Sequence, residues 1–170
     1  MLIQVSGDLL RSRAQVVAHG VAPHDHFETG LAHSLRELWP GMYKDFRHYC
    51  HTQNPEPGGA WFWGGAGGTR IVALFTQEGA PTHHHQGHPG HAKLEYVNHA
   101  LRELRKIIER EKFTSLALPK LATGVGGLKW EQVHPLITRH LGDLSLPIYL
   151  YTEYHAGMVA VEPSPSAPTQ

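Results

Sequence analysis

Five of the fifteen histidines of this chain stand in "PTHHHQGHPGHAK", residues 81–93. Imidazole titrates near neutral pH and ligates zinc, so the stretch offers either proton transfer or metal binding. His84, His88 and His91 are spaced four and three apart, within common ligand spacing. Gly87, Pro89 and Gly90 interrupt any helix that would align them, and no cysteine joins them. The reading is therefore a polar loop with no metal site, whose histidines either face a substrate or are solvated. A second candidate is "LALPKLATGVGGLKW", where Gly124, Gly126 and Gly127 separate an apolar run from a helix. Missing side chains let backbone N–H groups approach an anion, and a helix N-terminus adds positive potential. The spacing is neither G-x-x-x-x-G-K-[ST] nor a full G-x-G-x-x-G, and an ordinary glycine-rich turn stays equally open. A third is "HGVAPHDHFETGLAHSL", which sets Asp25, His26 and Glu28 before a helix that Thr29 could cap and Gly30 could open to a ligand. The fourth is Gly7-Asp8, a carboxylate just after a strand.

These loops need elements to hold them. Leu2–Ser6 and Ala14–His19 read as buried strands. Leu31, Leu35 and Leu38 space a helix that stops at Pro40, and Met42, Phe46 and Tyr49 space another after it. Cys50, the only cysteine, falls on that second helix and reads as a packed thiol. Residues 54–76 read as a β-hairpin, with Trp61 and Trp63 on one face, Phe62 on the other, and Gly64–Gly68 as the turn. Ile71–Phe75 is a strand buried on both faces. Leu94, Val97, Leu101, Leu104 and Ile108 form one stripe on a helix over 92–112. A strand over 115–118, a helix over 129–140 disturbed by Pro135, and a strand over 147–152 complete the pattern. Residues 159–170 are Pro/Ser-rich and read as a disordered tail after a domain ending at residue 157. Strands alternating with helices imply an α/β sandwich with a mixed central sheet, and ligands in such folds bind beyond the carboxyl ends of the strands.

At 170 residues the chain suits one domain, and its formal net charge of zero excludes a strongly basic nucleic-acid binder without excluding local contact with nucleic acid. A lone cysteine, no evident signal peptide and no apolar run of membrane-spanning length make a cytoplasmic protein the expectation.

Taken in order, "VSGDLL", "VVAHGV…TGLAHSLRELWPGMY", "IVALFTQ…AKLEYVNHALREL", "LALPKLATGVGGLKWEQVHPLI" and "IYLYTEY" resemble the macrodomain family, over nearly all of residues 1–155. The "LPKLATGVGGLKWEQV" segment is similar to the class that contains terminal ADP-ribose protein glycohydrolase and bacterial DNA ADP-ribosyl glycohydrolase. The resemblance implies a three-layer α/β/α fold and a site for ADP-ribose. It assigns Asp8 and Leu9 to adenine, and Thr29, Gly30 and Leu31 to the diphosphate and distal ribose. Thr123, Gly124, Val125 and Gly126 would wrap the diphosphate, Thr76 and Gln77 would lie near the distal ribose, and Tyr151 or Tyr154 would pack on adenine. It also exposes departures. Gln77 stands where the class usually has a lysine nucleophile, Gly126 where the protein glycohydrolase has aspartate, and Ala18-His19-Gly20 where another class has an asparagine pair.

Removal of ADP-ribose from DNA or protein would then need an activated water and a proton for the leaving group. Glu28 or Asp25 could act as base and His84 or His85 as acid. The alternatives are a phosphatase of ADP-ribose 1''-phosphate and a non-catalytic ADP-ribose reader. A monomer with no cofactor and no membrane partner is expected.

Overall fold

The computed structural model describes residues 1–79 and 90–164. Six strands, β1 (Leu2–Gly7), β2 (Val16–Val21), β3 (Ala60–Gly64), β4 (Arg70–Phe75), β5 (Leu116–Pro119) and β6 (Ile148–Tyr154), form one sheet in the order β1-β6-β5-β2-β4-β3. All neighbours are parallel except β3 and β4, which form the antiparallel hairpin. The helices are α1 (Gly30–Leu38), α2 (Pro40–Gln53), α3 (Leu94–Glu111) and α4 (Trp130–Leu141). Among the described residues, no helix is long and apolar enough to cross a membrane.

Two cores sandwich the sheet, as the mixed α/β/α expectation requires. Val97, Leu101 and Leu104 of α3 and Val133 and Ile137 of α4 pack on Val16, Val72, Leu74 and Leu118. On the opposite face Leu35 of α1 and Met42, Phe46 and Cys50 of α2 pack with Phe27 on Val21, Ala73 and Phe75. Trp61 and Trp63 join this second core while Phe62 joins the first, as strand alternation dictates. Cys50 is a packed thiol, 1% exposed, and burial raises its pKa. Pro40 occupies the first turn of α2, where its missing N–H costs nothing.

Several boundaries move. β2 runs two residues further than predicted, so His19 lies inside the strand and not at its end. α4 continues through Pro135. Within the segment read as a tail, residues 160–163 make contacts with the domain. Ala160 is buried, Tyr149 Oη donates to Pro163 O at 2.9 Å, and Glu162 accepts from the backbone N–H of Arg13 at 2.8 Å. Val159, Ala160 and Val161 form a short apolar run of which only Ala160 is buried, and the Pro/Ser-rich composition hid that contact.

One consequence of the topology positions everything that follows. The parallel strands end at one edge of the sheet, so the loops after β1, β2, β4, β5 and β6 meet there.

Candidate active site

Two cavities of 430 and 300 Å³ lie along this edge. Both are lined by Gly30 and Leu31 at the start of α1 and by Pro119 at the end of β5. Gly30 has a left-handed φ of 61°, which glycine adopts without strain. Thr29 occupies the cap position in extended conformation, but its side chain makes no capping bond, which corrects the expected cap. The N–H groups of the first turn thus stand between the two cavities, where an anion would be favoured.

The larger cavity is built by Asp8, Leu9, Leu10, Tyr151 and Tyr154. Asp8 is 7% exposed; its Oδ1 accepts from Leu10 N at 3.0 Å and its Oδ2 from Gly157 N at 2.8 Å. A carboxylate oxygen has a second lone pair, so each can still accept from a ligand amine. Sequence alternation could not choose between the two tyrosines, and the structure brings both. β6 carries one extra residue opposite Val5 and Ser6, so Val5 pairs with Tyr151 and Ser6 with Glu153. This bulge shifts the alternation and returns Tyr154 to the face of Tyr151. Tyr151 is buried and donates to Glu162 Oε2 at 2.9 Å; burial, then Glu162, pushes its pKa well up. Tyr154 is 71% exposed at the mouth.

The smaller cavity gathers His19 and Asp25 from β2 and its loop, Gln77 after β4, and Lys120, Gly124, Val125 and Gly126 after β5. Asp25 is buried; Oδ1 accepts from Phe27 N at 2.8 Å and Oδ2 from Ala22 N at 3.3 Å. Burial raises its pKa. Gln77 donates from Nε2 to Gly90 O at 3.2 Å, and an antiparallel bridge joins it to Ala92. The ends of the histidine-rich segment are therefore tied together at the cavity rim.

Not every expected residue arrives. Glu28 is exposed, sits 3.8 Å from His26 Nδ1 and lines neither cavity. Thr76 is fully buried behind the wall, its Oγ1 without a partner among the described residues. Thr123 does not line the cavity either and closes the loop by donating from Oγ1 to Lys120 O at 2.8 Å. His84 and His85 lie outside the described residues.

Two ionisable side chains of the smaller cavity escaped sequence reasoning. Lys120 supplies a cation beside the glycine loop. His19, 1% exposed, is the other; burial lowers its pKa to about 4. Its signal was a lone imidazole inside the apolar run "VVAHGV".

The Macro domain family model matches residues 26–137, well over half of the chain. The chain is a macrodomain. Its sequence is 27% identical over 154 residues to a DNA ADP-ribosyl glycohydrolase of Thermus aquaticus, an alignment covering 89% of this macrodomain and 41% of that protein. The macrodomain of Mycobacterium tuberculosis DarG superposes with a TM-score of 0.78 at 23% identity, covering 89% of this chain and 97% of that one. Thermosipho africanus DarTG in complex with ADP-ribose superposes with a TM-score of 0.77 at 25% identity, over 91% of this chain and 42% of that one. This macrodomain spans less than half the length of the curated relatives it matches.

Proposed function

We propose that this macrodomain binds ADP-ribose across its two cavities and removes it from a modified macromolecule, with DNA as the first candidate. The observation that carries the reading is the pair of cavities joined at an uncapped helix start. A nucleoside fits the Asp8–Tyr154 side, a diphosphate fits the α1 start and the Gly124–Gly126 loop, and the second ribose falls beside Gln77. The names of the relatives, a DNA ADP-ribosyl glycohydrolase and a DarTG bound to ADP-ribose, support the same ligand and the same linkage.

Gln77 has no amine to attack the anomeric carbon, so the reaction we assign uses water directly. Water oxygen attacks the anomeric carbon, the bond to the carried group breaks, a base takes the water proton and an acid protonates the leaving group. Asp25 is the candidate base inside the cavity, exposed Glu28 of the same loop is the second candidate base, and His84 and His85 are the candidate acids. The site would act in a monomeric, cytoplasmic protein.

A non-catalytic reader is the second reading, and a specific observation favours it. A Cβ on Gly126 would lie 2.6 Å from Ala122 O, leaving no room for a carboxylate, and the Gln77 amide is tied to Gly90. Incubation with ADP-ribosylated DNA, ADP-ribosylated protein and ADP-ribose 1''-phosphate separates these. Release of ADP-ribose that falls in Asp25→Asn and in His84→Ala/His85→Ala supports the hydrolase. Tight ADP-ribose binding with every substrate left intact supports the reader, and free phosphate supports the phosphatase.

A further inference from the structure

The segment after β6, residues 155–163, lies as a strap against the end of β1 and the turn that follows it. It is not a strand: among the described residues, Val159, Ala160 and Val161 enter no backbone–backbone hydrogen bond. Val159 and Val161 are exposed, and only Ala160 of the three is buried, in a cluster with Val5, Leu9, Tyr149 and Tyr151. Three of the strap's contacts fall on residues of the larger cavity. Asp8 N donates to Met158 O at 2.8 Å, and Gly157 N donates to Asp8 Oδ2 at 2.8 Å. Ala160 sits in the notch left by Gly7, where a Cβ would lie 3.0 Å from the Ala160 Cβ. Glu162 accepts from Tyr151 Oη, and also from Ser12 Oγ and Arg13 N. Gly7, Asp8 and Tyr151 line the larger cavity, whereas no residue of 155–163 does. None of these anchors lines the smaller cavity.

A segment with few buried apolar groups and no backbone ladder opens at a low free energy. Opening takes a donor from the Asp8 carboxylate, the packing partner from Gly7 and the acceptor from the Tyr151 hydroxyl. A ligand that needs these three groups in place binds the docked state better than the open one. Linkage then requires that the ligand hold the strap down by the same factor. We propose that residues 155–163 are a positioning strap for the larger cavity, and that strap docking and binding of the adenosine end of the ligand are one coupled equilibrium. Ala160 and Glu162 are its positioning residues: they act through Gly7 and Tyr151 and do not touch the ligand. This rests on the ADP-ribose reading above. Because the anchors all belong to one cavity, the ribose phosphate end of the ligand does not couple to the strap.

The test joins amide hydrogen exchange of the full chain to calorimetric titration. The Arg13 amide reports on the strap, because Glu162 accepts its proton and Arg13 lies outside the cavity lining. Saturating ADP or ADP-ribose should slow exchange at Arg13 by at least about tenfold, and ribose 5-phosphate should leave it unchanged. Ala160→Glu and Glu162→Ala should each bind ADP and ADP-ribose about tenfold more weakly while staying folded at the titration temperature, which thermal unfolding checks. Glu162→Gln, which keeps one acceptor oxygen, should recover part of the loss. Where a variant fails to fold, exchange in the wild type decides. An Arg13 amide indifferent to ADP, one slowed equally by ribose 5-phosphate, or folded variants with wild-type affinity overturn the strap alone. Wild type that binds neither ADP nor ADP-ribose overturns the ADP-ribose reading with it.

Discussion

The two cavities share a wall but are built in opposite ways. Around the larger one the polar groups are matched within the chain. Glu162 accepts from Ser12 Oγ at 2.5 Å, Arg13 N at 2.8 Å and Tyr151 Oη at 2.9 Å, and Asp8 ties the turn after β1 to Gly157. Around the smaller one His19 and the neighbouring Thr76 keep unmet polar atoms, and the non-glycine residues His24, Phe27 and Ala122 hold left-handed backbone. The first is stabilised by its own hydrogen bonds. The second leaves bonding capacity and strain in place, which is where recognition and chemistry are expected.

Acidification should separate the cavities most sharply. The folded-state pKa of His19, about 4, lies below its ordinary value, so the unfolded chain binds the proton more readily. Stability from this group is complete above about pH 6.5 and is lost as pH falls toward 4, by about 3 kcal/mol in all. Asp25, on the same cavity, is shifted up and works the other way near its own titration, because its folded form holds the proton better. Denaturant unfolding of wild type and His19→Leu between pH 7 and 4 should show the steeper decline in wild type; parallel curves would erase the contrast.

Gly126→Ala should come next. Its Cβ would meet Ala122 O at 2.6 Å and the Ala92 Cβ at 2.8 Å, so we expect a loss of about 2 kcal/mol and weaker ADP-ribose binding. Thermal unfolding and titration of the same sample check both. On the other side, Glu162→Ala strands three donors and should cost about 1.5 kcal/mol in stability. It should weaken ADP-ribose and ADP binding alike, since only the nucleoside cavity loosens. The smallest effect belongs to Tyr154→Ala. An exposed aromatic contributes little to folding, so stability should hold within about 0.5 kcal/mol while both ligands lose severalfold in affinity. A Tyr154→Ala variant that binds ADP normally would remove the tyrosine from the adenine wall.

Much of this architecture was legible in local pattern. The α3 stripe, the hairpin with its alternating tryptophans, the helix break at Pro40 and the loops at Gly7-Asp8, 20–29 and 119–128 all follow from spacing. Within those loops, types alone did not say which residues would turn inward. Asp25 and Glu28 stand three apart in one loop, yet one is buried in the cavity and the other is exposed. Thr29 has the residue type and position of a cap without the bond.

The sequence by itself determined the elements and their order, because periodicity, proline and glycine act through neighbouring residues. Tertiary structure decided the rest. Tyr151 and Tyr154 share a face only because β6 bulges against β1, a phase shift that depends on the paired strand. Glu162 reaches Ser12 across 150 residues of chain. Gly126 is crowded by Ala92 from the far side of the histidine-rich segment. His19 is an ordinary imidazole in the sequence; β2 and the loop ending in Phe27 bury it beside a cavity and leave its nitrogens unmatched.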